Sequence, residues 1–311
     1  MSRKHEKYER LIEFCKALPP TPTAVAYPCD ASSLQAAVDA ARLGLIAPLL
    51  VGPEKRMRAA AAACDFDISR FTLVDALDVD TAAARSVELV REGKAEALMK
   101  GSLHTDELMA AVVKRETGLR TRRRISHCFV MDVPNHPDTL IVSDGAVNIA
   151  PTIEDKVDII QNAIDLAHAL QQKDVRVAIL SAMETVNVKL ASTMDAAALC
   201  KMADRGQITG GLLDGPLALD NAISLEAAQI KNIDSPVAGR ANVLIAPNLE
   251  SGNMLAKSLT FLAGADAAGI VLGARVPIIL TSRADSVTTR LASCAVAALV
   301  AKWRRERVKG A

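Results

Sequence analysis

The feature that most constrains the fold of this chain is a regular alternation of short, β-branched apolar runs with longer helical patterns. Typical runs are IAPLLVG at 46–52, VRVAILS at 175–181 and ANVLIAPN at 241–248. Parallel strands need a crossover connection, usually a helix, so this alternation predicts parallel βαβ units. We expect about nine to eleven strands, which is more than one open sheet holds comfortably. The sequence therefore predicts an α/β fold with two three-layer αβα domains and mainly parallel sheets.

The composition of the 311 residues narrows the class of protein. Hydrophobic residues make up 50% of the chain, which supplies a sizeable core and excludes a disordered protein. Aromatic residues make up only 3%, so the core must come from Ala, Val, Leu and Ile, which favours helices packed on strands. The net charge of +1 gives no global attraction to nucleic acid or membranes. We expect neither as a partner, and any anion site must be local.

The six cysteines predict neither a disulfide framework nor a zinc site. They are widely spaced, and no two of them form a Cys-x-x-Cys pair. The first twenty residues are charged and have no apolar signal core. No stretch approaches the ~18 uninterrupted apolar residues of a transmembrane helix. We therefore expect a reducing, cytoplasmic location and no metal.

Several nucleotide-binding and hydrolase motifs are absent from the sequence. No Gly-x-Gly-x-x-Gly opens a helix after a strand, and no Gly-x-x-x-x-Gly-Lys-Ser/Thr occurs. Gly-x-Ser-x-Gly and His-Glu-x-x-His are missing as well. These absences disfavour a standard dinucleotide site, a P-loop, an α/β-hydrolase and a zinc protease.

Polar residues follow several of the apolar runs. In open α/β sheets, ligands bind beyond the carboxyl ends of the strands. This rule points to six places in the chain: Lys100–Gly101, Ser143–Asp144, Ser181–Glu184, Asp214–Gly215, Pro247–Asn253 and Ser282–Arg283. A lysine directly after a strand can bind phosphate, and small polar residues that open a helix expose N–H groups to an anion.

Three segments together resemble the phosphate acetyltransferase/phosphate butyryltransferase family. They are DGPLALDNAIS at 214–224, the stretch from SPVAGR to GIVLG at 235–273, and VPIILTSRADS at 276–286. LLVGPEKRM at 49–57 and ALMKGSLHT at 97–105 match in the same order. The resemblance therefore covers nearly the whole chain.

The resemblance implies a fold, an assembly and a reaction. The fold would be two α/β domains with an inter-domain active-site cleft, the first domain at 1–120 with 274–311 and the second at 121–273. The assembly would be a homodimer. The reaction would be reversible acyl transfer between coenzyme A and phosphate, with no cofactor because coenzyme A is a substrate. The partners would be the small molecules acyl-CoA, inorganic phosphate and acyl phosphate.

Ser282 and Arg283 match the family's serine–arginine pair, which implies that they stabilise the acyl phosphate and the transition state. Acetyl-type members carry a base aspartate seven residues after this serine, where this chain has Thr289. Asp285 is the nearest carboxylate and becomes our candidate for the catalytic base. Three simpler alternatives stay open. Ser282 could cap the last helix, Asp285 could be a first-turn residue favoured by the helix dipole, and a thiol of pKa about 8.5 could need no protein base.

The candidate substrate-binding residues lie in turns and at the start of helices. They are Lys100, Gly101, Arg240, Asn248, Ser251, Gly252 and Asn253. Lys100 could equally be a solvated strand end, and Ser251 or Asn253 could be ordinary helix caps. The arginine run at 120–124 could hold the phosphates of coenzyme A or be a solvated charge run.

The expected function is phosphate acyltransfer by direct thiol attack in a ternary complex, with acetyl favoured and butyryl a close second. Three segments look more like the butyryl branch, or like the transferase half of fused hydratase–transferase proteins: DGAVNIAPT at 144–152, SAMETVN at 181–187 and TSRADS at 281–286. Two other classes stay open. A decarboxylating dehydrogenase would need clustered aspartates for a divalent metal, and the sequence shows no convincing cluster. A non-catalytic protein that binds coenzyme A or acyl phosphate is suggested by Thr289.

Overall fold

A computed structural model describes residues 6–134, 136–281 and 285–309, and the alternation of strands and helices in it confirms the predicted α/β class. The helices are α1 (Glu6–Lys16), α2 (Ala31–Arg42), α3 (Glu54–Ala63), α4 (Val79–Arg91), α5 (Thr105–Val113), α6 (Ile153–Ala169), α7 (Ala191–Asp204), α8 (Leu219–Ile223), α9 (Leu225–Ile230), α10 (Leu249–Phe261) and α11 (Val287–Lys309). The strands are β1 (Thr21–Ala26), β2 (Ile46–Gly52), β3 (Thr72–Asp75), β4 (Ala97–Lys100), β5 (Ser126–Asp132), β6 (Leu140–Ser143), β7 (Arg176–Leu180), β8 (Leu212–Leu217), β9 (Val243–Ile245), β10 (Asp266–Leu272) and β11 (Ile278–Ile279).

The chain divides into two compact units. Of the described residues, 6–123 and 268–309 form one unit, the discontinuous unit, and 124–267 form the other, the central unit. The predicted domain limits at 120/121 and 273/274 stay a prediction.

The discontinuous unit contains a sheet with the strand order β3-β2-β1-β4-β11-β10. All neighbours are parallel except β10 and β11. Helix α2 packs against β2, α3 and α11, whereas α4 packs against β1, β2, β4 and α5. Strands β1 and β4 are buried along almost their whole length, as expected for a sheet covered by helices on both faces.

The central unit contains a sheet with the strand order β5-β6-β9-β7-β8, in which only β5 and β6 are antiparallel. Helix α6 packs against β5, β6 and β9, and α7 packs against β7 and β8. Side chains alternate along a strand, so Ala178 and Leu180 of β7 join the core cluster that also holds Leu244 of β9 and Ala256 of α10. The sheet is therefore mixed but mostly parallel, as predicted.

One helix that the sequence predicts is divided into two helices in the structure. The pattern at 221–231 predicts a single helix, but α8 ends at Ile223 and α9 begins at Leu225. Ser224 lies between them with φ −115° and ψ 116°, and its Oγ accepts the N–H of Ala227. A serine that caps a new helix interrupts the old one, because its backbone leaves the helical region. Within the described part of the chain, no helix is long and apolar enough to cross a membrane.

Candidate functional site

The turn after β4 is fixed tightly against the end of β1. The N–H of Gly101 donates to the carbonyl of Ala26 at 2.9 Å, and the hydroxyl of Ser102 donates to the carbonyl of Tyr27 at 2.7 Å. A Cβ on Gly101 would lie 2.3 Å from the Ala26 oxygen, so only glycine allows this approach. The turn thereby fixes the position of Lys100, the last residue of β4.

Beside this turn is a shallow recess that is open to solvent. Its polar lining comes from the end of β4, the start of α2, the turn after β11 and the first turns of α11. These residues are Asp30, Ser32, Ser33, Lys100, Thr281 and Arg290. The Lys100 side chain is buried, with the residue only 9% exposed, and its Nζ donates to the carbonyls of Gly101 and Leu103 at 3.3 and 3.2 Å. The alternative in which Lys100 is a solvated strand end is wrong.

The first turn of α11 is organised by Ser286. Its Oγ accepts the N–H of Thr289 at 3.1 Å, which makes Ser286 the N-cap of this helix. The helix-capping alternative for Ser282 is therefore wrong, because another residue holds that position. Asp285 lies immediately before the cap, so it is not a first-turn residue of the helix. Its side chain is half-buried.

The two central catalytic candidates, Ser282 and Arg283, lie outside the described residues. Thr281, which directly precedes them, lines the recess that also contains Lys100. Thr289, at the family's base position, is 8% exposed and accepts a hydrogen bond from the Ser286 hydroxyl at 3.1 Å. A threonine in this setting cannot take a proton from a thiol.

In the central unit, four predicted residues lie together at the start of α10. Asn248 is the N-cap, since its Oδ1 accepts the N–H of Ser251 at 2.9 Å, so the alternative in which Ser251 or Asn253 caps the helix is wrong. Asn253 Nδ2 donates to the carbonyl of Gly145 at 2.9 Å. A Cβ on Gly252 would lie 2.2 Å from the carbonyl oxygen of Asp144, so glycine is required by packing.

Asp144 organises the loop after β6, which the start of α10 contacts through Asn253 and Gly252, and the sequence did not reveal this role. Its carboxylate is 3% exposed and accepts the backbone N–H groups of Ala146, Val147 and Asn148 at 2.9–3.1 Å. The adjacent His127 is buried, and this burial lowers its pKa to about 4 against the opposing effect of the Asp144 charge. This loop and the first turn of α10 are therefore held by short-range hydrogen bonds.

The loop at 235–240 is less flexible than its Pro and Gly content predicts. Ser235 Oγ accepts the N–H groups of Val237 and Ala238 at 3.0 and 3.1 Å, and both of these residues are buried. Gly239 has φ +74°, and a Cβ there would lie 2.4 Å from Leu225 Cα. Arg240 follows this anchored turn and is exposed.

Other titratable groups have defined environments. An ion pair with Lys231 at 3.2 Å lowers the pKa of Glu184, which makes this carboxylate a weaker base. Burial raises the pKa of Cys29 to about 11 and the pKa values of Cys15 and Cys128 to about 12.

The arginines at 120–124 are exposed. Among the described residues, no group of three or more His, Cys, Asp or Glu side chains could hold a metal ion.

The fold and the recess define a class of protein. It is an α/β protein with two compact units and a buried lysine at the carboxyl end of a parallel strand. The family model for phosphate acetyl/butaryl transferase matches residues 78–298. The chain belongs to this family, and the resemblance found in the sequence is confirmed.

Similarity to known members of this family extends over nearly the whole chain. A phosphate acetyltransferase of Rhizobium meliloti is 63% identical over 96% of this chain and 95% of its own length. A phosphate butyryltransferase of Clostridium acetobutylicum is 40% identical over 95% and 98%. The crystal structure of a branched-chain phosphotransacylase from Enterococcus faecalis superimposes with a TM-score of 0.79 at 29% identity, covering 90% of this chain and 99% of that one. The acetyltransferases are thus the nearer relatives of the two named activities.

Proposed function

We propose that this protein is a phosphate acetyltransferase that moves an acetyl group reversibly between acetyl phosphate and coenzyme A. The observation that carries the proposal is the 63% identity, over 96% of the chain, to a phosphate acetyltransferase, against 40% to a butyryltransferase. Membership of the family makes the protein an acyltransferase, and the difference in identity favours acetyl as the acyl group.

In the proposed reaction, the thiol of coenzyme A loses its proton and the sulfur attacks the carbonyl carbon of acetyl phosphate. The new S–C bond forms as the bond from carbon to the phosphate oxygen breaks. Phosphate leaves with the electron pair of that bond, and acetyl-CoA is the thioester product. The carbonyl oxygen becomes negative in the transition state and needs hydrogen-bond donors, while the leaving phosphate needs cations.

The candidate residues are assigned to these needs as follows. Ser282 and Arg283 stabilise the carbonyl oxygen and the phosphate, as the family resemblance implies. Asp285 takes the thiol proton, since Thr289 cannot. Glu184 is a poorer candidate for the base because its ion pair with Lys231 lowers its pKa. In the central unit, Arg240 and the start of α10 (Asn248, Ser251, Gly252 and Asn253) bind the substrates.

Direct attack by coenzyme A is favoured over an acyl-cysteine intermediate by the raised pKa values of five of the six protein thiols. Burial raises the pKa values of Cys200 and Cys294 to about 12, as it does for Cys15 and Cys128, so these thiols stay protonated at neutral pH. A thiol reacts as its thiolate. Acetyl phosphate should therefore not exchange its phosphate with labelled inorganic phosphate unless coenzyme A is present, and exchange without coenzyme A would overturn direct attack.

The proposal extends to the assembly and its environment. We place the enzyme in the cytoplasm as a homodimer without a metal cofactor, in keeping with six free cysteines. Light scattering on the purified protein measures the mass of the assembly. Exhaustive chelation should leave the rate unchanged, and a loss reversed by one divalent ion would contradict the metal-free mechanism.

The function is tested by mixing the protein with acetyl phosphate and coenzyme A and following the thioester absorbance. Rapid formation of acetyl-CoA is expected. No thioester from any acyl phosphate, with coenzyme A still bound, would instead indicate a non-catalytic binding protein.

Arg283→Lys tests the assigned transition-state contact. Arginine offers a planar fork of donors to an oxyanion, whereas lysine is a point charge. We expect kcat to fall by about tenfold or more, equivalent to roughly 1.4 kcal/mol. A folded variant with the kinetics of the unmodified enzyme would remove Arg283 from the mechanism.

A further inference from the structure

Tyr27 directly follows β1 and has a backbone conformation that a tyrosine rarely adopts. Its φ is +55°, in the left-handed region that favours glycine. This conformation is unfavourable for a residue with a Cβ, and it persists only where the surrounding structure holds the residue in place. Tyr27 is 8% exposed, so the groups that hold it belong to the protein.

The side chain of Tyr27 is held by α3. Nη1 of Arg56 donates to the Tyr27 hydroxyl at 2.5 Å, and the guanidinium carbon lies 5.3 Å from the centroid of the Tyr27 ring. At this distance a cation is attracted to the face of an aromatic ring. Arg56 is exposed, whereas Tyr27 is buried. Arg56 therefore fixes the orientation of the ring from the solvent side.

The backbone of Tyr27 joins the ends of three strands. Its N–H donates to the carbonyl of Val51 in β2 at 2.7 Å. Its carbonyl oxygen accepts the N–H of Cys29 and the N–H of Ser102, both at 2.9 Å, and the hydroxyl of Ser102 at 2.7 Å. A carbonyl oxygen has two lone pairs, so these three donors use its full capacity. The peptide of Tyr27 thus connects β1 and β2 to the turn after β4.

The turn after β4 packs directly on the Tyr27 carbonyl group. A Cβ on Gly101 would lie 2.7 Å from both the carbonyl carbon and the carbonyl oxygen of Tyr27. A displacement of this group must therefore displace the turn. Nζ of Lys100 donates to the carbonyls of Gly101 and Leu103 at 3.3 and 3.2 Å, so the position of the ammonium group depends on the same turn.

We propose that Tyr27 is a positioning residue for acyl transfer. Its ring, held by Arg56, keeps its backbone in the left-handed conformation, and its carbonyl then fixes the turn that carries Lys100. Lys100 is a candidate substrate-binding residue, so this inference rests on the proposed function. Tyr27 acts through Lys100 and is not itself catalytic. A small displacement of a group that orients a substrate is costly, because the reacting atoms must be in place.

Tyr27→Phe tests the role of the hydroxyl, since it removes the atom that Arg56 binds and keeps the ring. We expect it to raise the KM of one substrate, acetyl phosphate or coenzyme A, about tenfold, and Lys100→Gln to raise the KM of the same substrate. A smaller amount of folded enzyme alone would lower the apparent kcat and leave both KM values unchanged. Unchanged KM values in either variant would overturn the proposal.

The double variant tests whether Tyr27 acts through Lys100. If it does, adding Tyr27→Phe to Lys100→Gln should change KM by less than about twofold, because the effects of coupled residues are not additive. A double variant in which the two single effects multiply would show that Tyr27 acts independently of Lys100, and would contradict the proposal.

Tyr8→Phe is the matched control, because Tyr8 is the other tyrosine of the chain and is 1% exposed. Its hydroxyl accepts the N–H of Ala268, which lies in the same unit. Tyr8→Phe should reduce stability, because a buried N–H loses its acceptor, and leave both KM values within about twofold. A KM increase as large as that of Tyr27→Phe would assign the effect to general destabilisation.

Arg56→Gln tests the same contact from the exposed side, where a substitution does not threaten the core. It should raise the KM of the same substrate as Tyr27→Phe. Arg56→Lys should raise it less, since an amine can still donate to the hydroxyl. Arg58→Gln is the control on the same helix, because Arg58 pairs with Glu54 at 2.7 Å, and it should leave both KM values within about twofold. Equal effects of Arg56→Gln and Arg58→Gln would exclude the specific role of Arg56.

Hydrogen exchange of the Ser102 N–H tests the contact without turnover. In Tyr27→Phe this amide should exchange about tenfold faster, because its acceptor is held less firmly, whereas Tyr8→Phe should change it by less than about twofold. Faster exchange without thioester formation by the unmodified protein would contradict the proposed function and still support the hold of Tyr27 on the turn. Thioester formation with unchanged Ser102 exchange in Tyr27→Phe would leave the function standing and overturn the positioning role.

Discussion

The recess of the discontinuous unit and the start of α10 in the central unit use polar residues in opposite ways. In the recess, two buried cations line one pocket, and the described hydrogen bonds of Lys100 and Arg290 run to backbone carbonyls. In the central unit, Asp144 after β6 and Asn248 at the start of α10 accept backbone N–H groups of their own unit. The difference indicates that the recess supplies charge, whereas the α10 region supplies a rigid scaffold.

Asp144→Ala tests the scaffold role and carries the largest expected effect. It removes the acceptor of three backbone N–H groups, and each buried group left unsatisfied costs about 1–3 kcal/mol. We expect the free energy of unfolding to fall by about 3 kcal/mol in urea titrations. Asp75→Ala is the control, since this exposed carboxylate accepts one N–H, that of Glu54, and should lose less than about 1 kcal/mol. Equal losses in the two variants would refute the scaffold role.

Asp285→Asn tests the proposed base. If Asp285 deprotonates the thiol, kcat at neutral pH should fall about a hundredfold, and raising the pH should restore much of it, because solvent then supplies the thiolate. The pH profile of kcat is the measurement. Thr289→Asp is the companion variant and should raise the rate at low pH if that position faces the thiol. A flat response to both changes would leave a pre-ionised thiol or another carboxylate as the explanation.

A glycine in each region allows the two to be compared by the same substitution. Gly101→Ala would place Cβ 2.3 Å from the Ala26 oxygen, and Gly252→Ala would place it 2.2 Å from the Asp144 oxygen. Both neighbours are backbone atoms, so each variant should lose about 1–3 kcal/mol of stability. Only Gly101→Ala should also weaken substrate binding, since it displaces Lys100. Gly52→Ala is the control, because its nearest neighbours lie at 3.5 Å. Substrate binding unaffected by Gly101→Ala would contradict the role of this turn.

His127 provides the smallest expected effect, a pH dependence of stability. Burial lowers its pKa to about 4 in the folded protein, against an ordinary value of 6.5. Between these values the unfolded chain binds a proton that the folded protein does not, so stability falls as the pH falls from about 6.5 to 4. The slope from this residue is at most about 1.4 kcal/mol for each pH unit.

Urea unfolding at pH 7 and pH 5 measures this slope. His127→Gln should flatten it, while His136→Gln, on a loop, should leave it unchanged. An unaltered slope in His127→Gln would assign the pH dependence to other groups.

The sequence predicted the features that depend on local pattern. Apolar runs separated by helical patterns gave the strands near their observed positions, and the family motifs led to Lys100, Gly101 and the start of α10. Features that depend on distant contacts were missed. Gly101 is required by Ala26, and Gly252 by Asp144, which no local pattern reveals.

Arg290 and Asp144 show what a sequence can and cannot signal. Arg290 stands just before the apolar stretch of α11 at 291–301, and a lone arginine there was a usable sign of a buried charge. Asp144 was noted only as a strand-end carboxylate, because its function depends on how the following loop folds back onto it. Ser224 is a residue type that favours helix N-caps, and it divides α8 from α9. The helical spacing of the apolar residues on both sides of it led to the prediction of a single helix.

The most direct test of the central claim, acetyl transfer, is the ratio of kcat/KM values for acetyl phosphate and butyryl phosphate with coenzyme A. The account predicts thioester formation from both, with acetyl phosphate preferred by about tenfold or more, a difference of roughly 1.4 kcal/mol in transition-state binding. A preference for butyryl phosphate would contradict the acetyl assignment and support the butyryl branch. No thioester from either substrate would contradict the enzyme assignment itself.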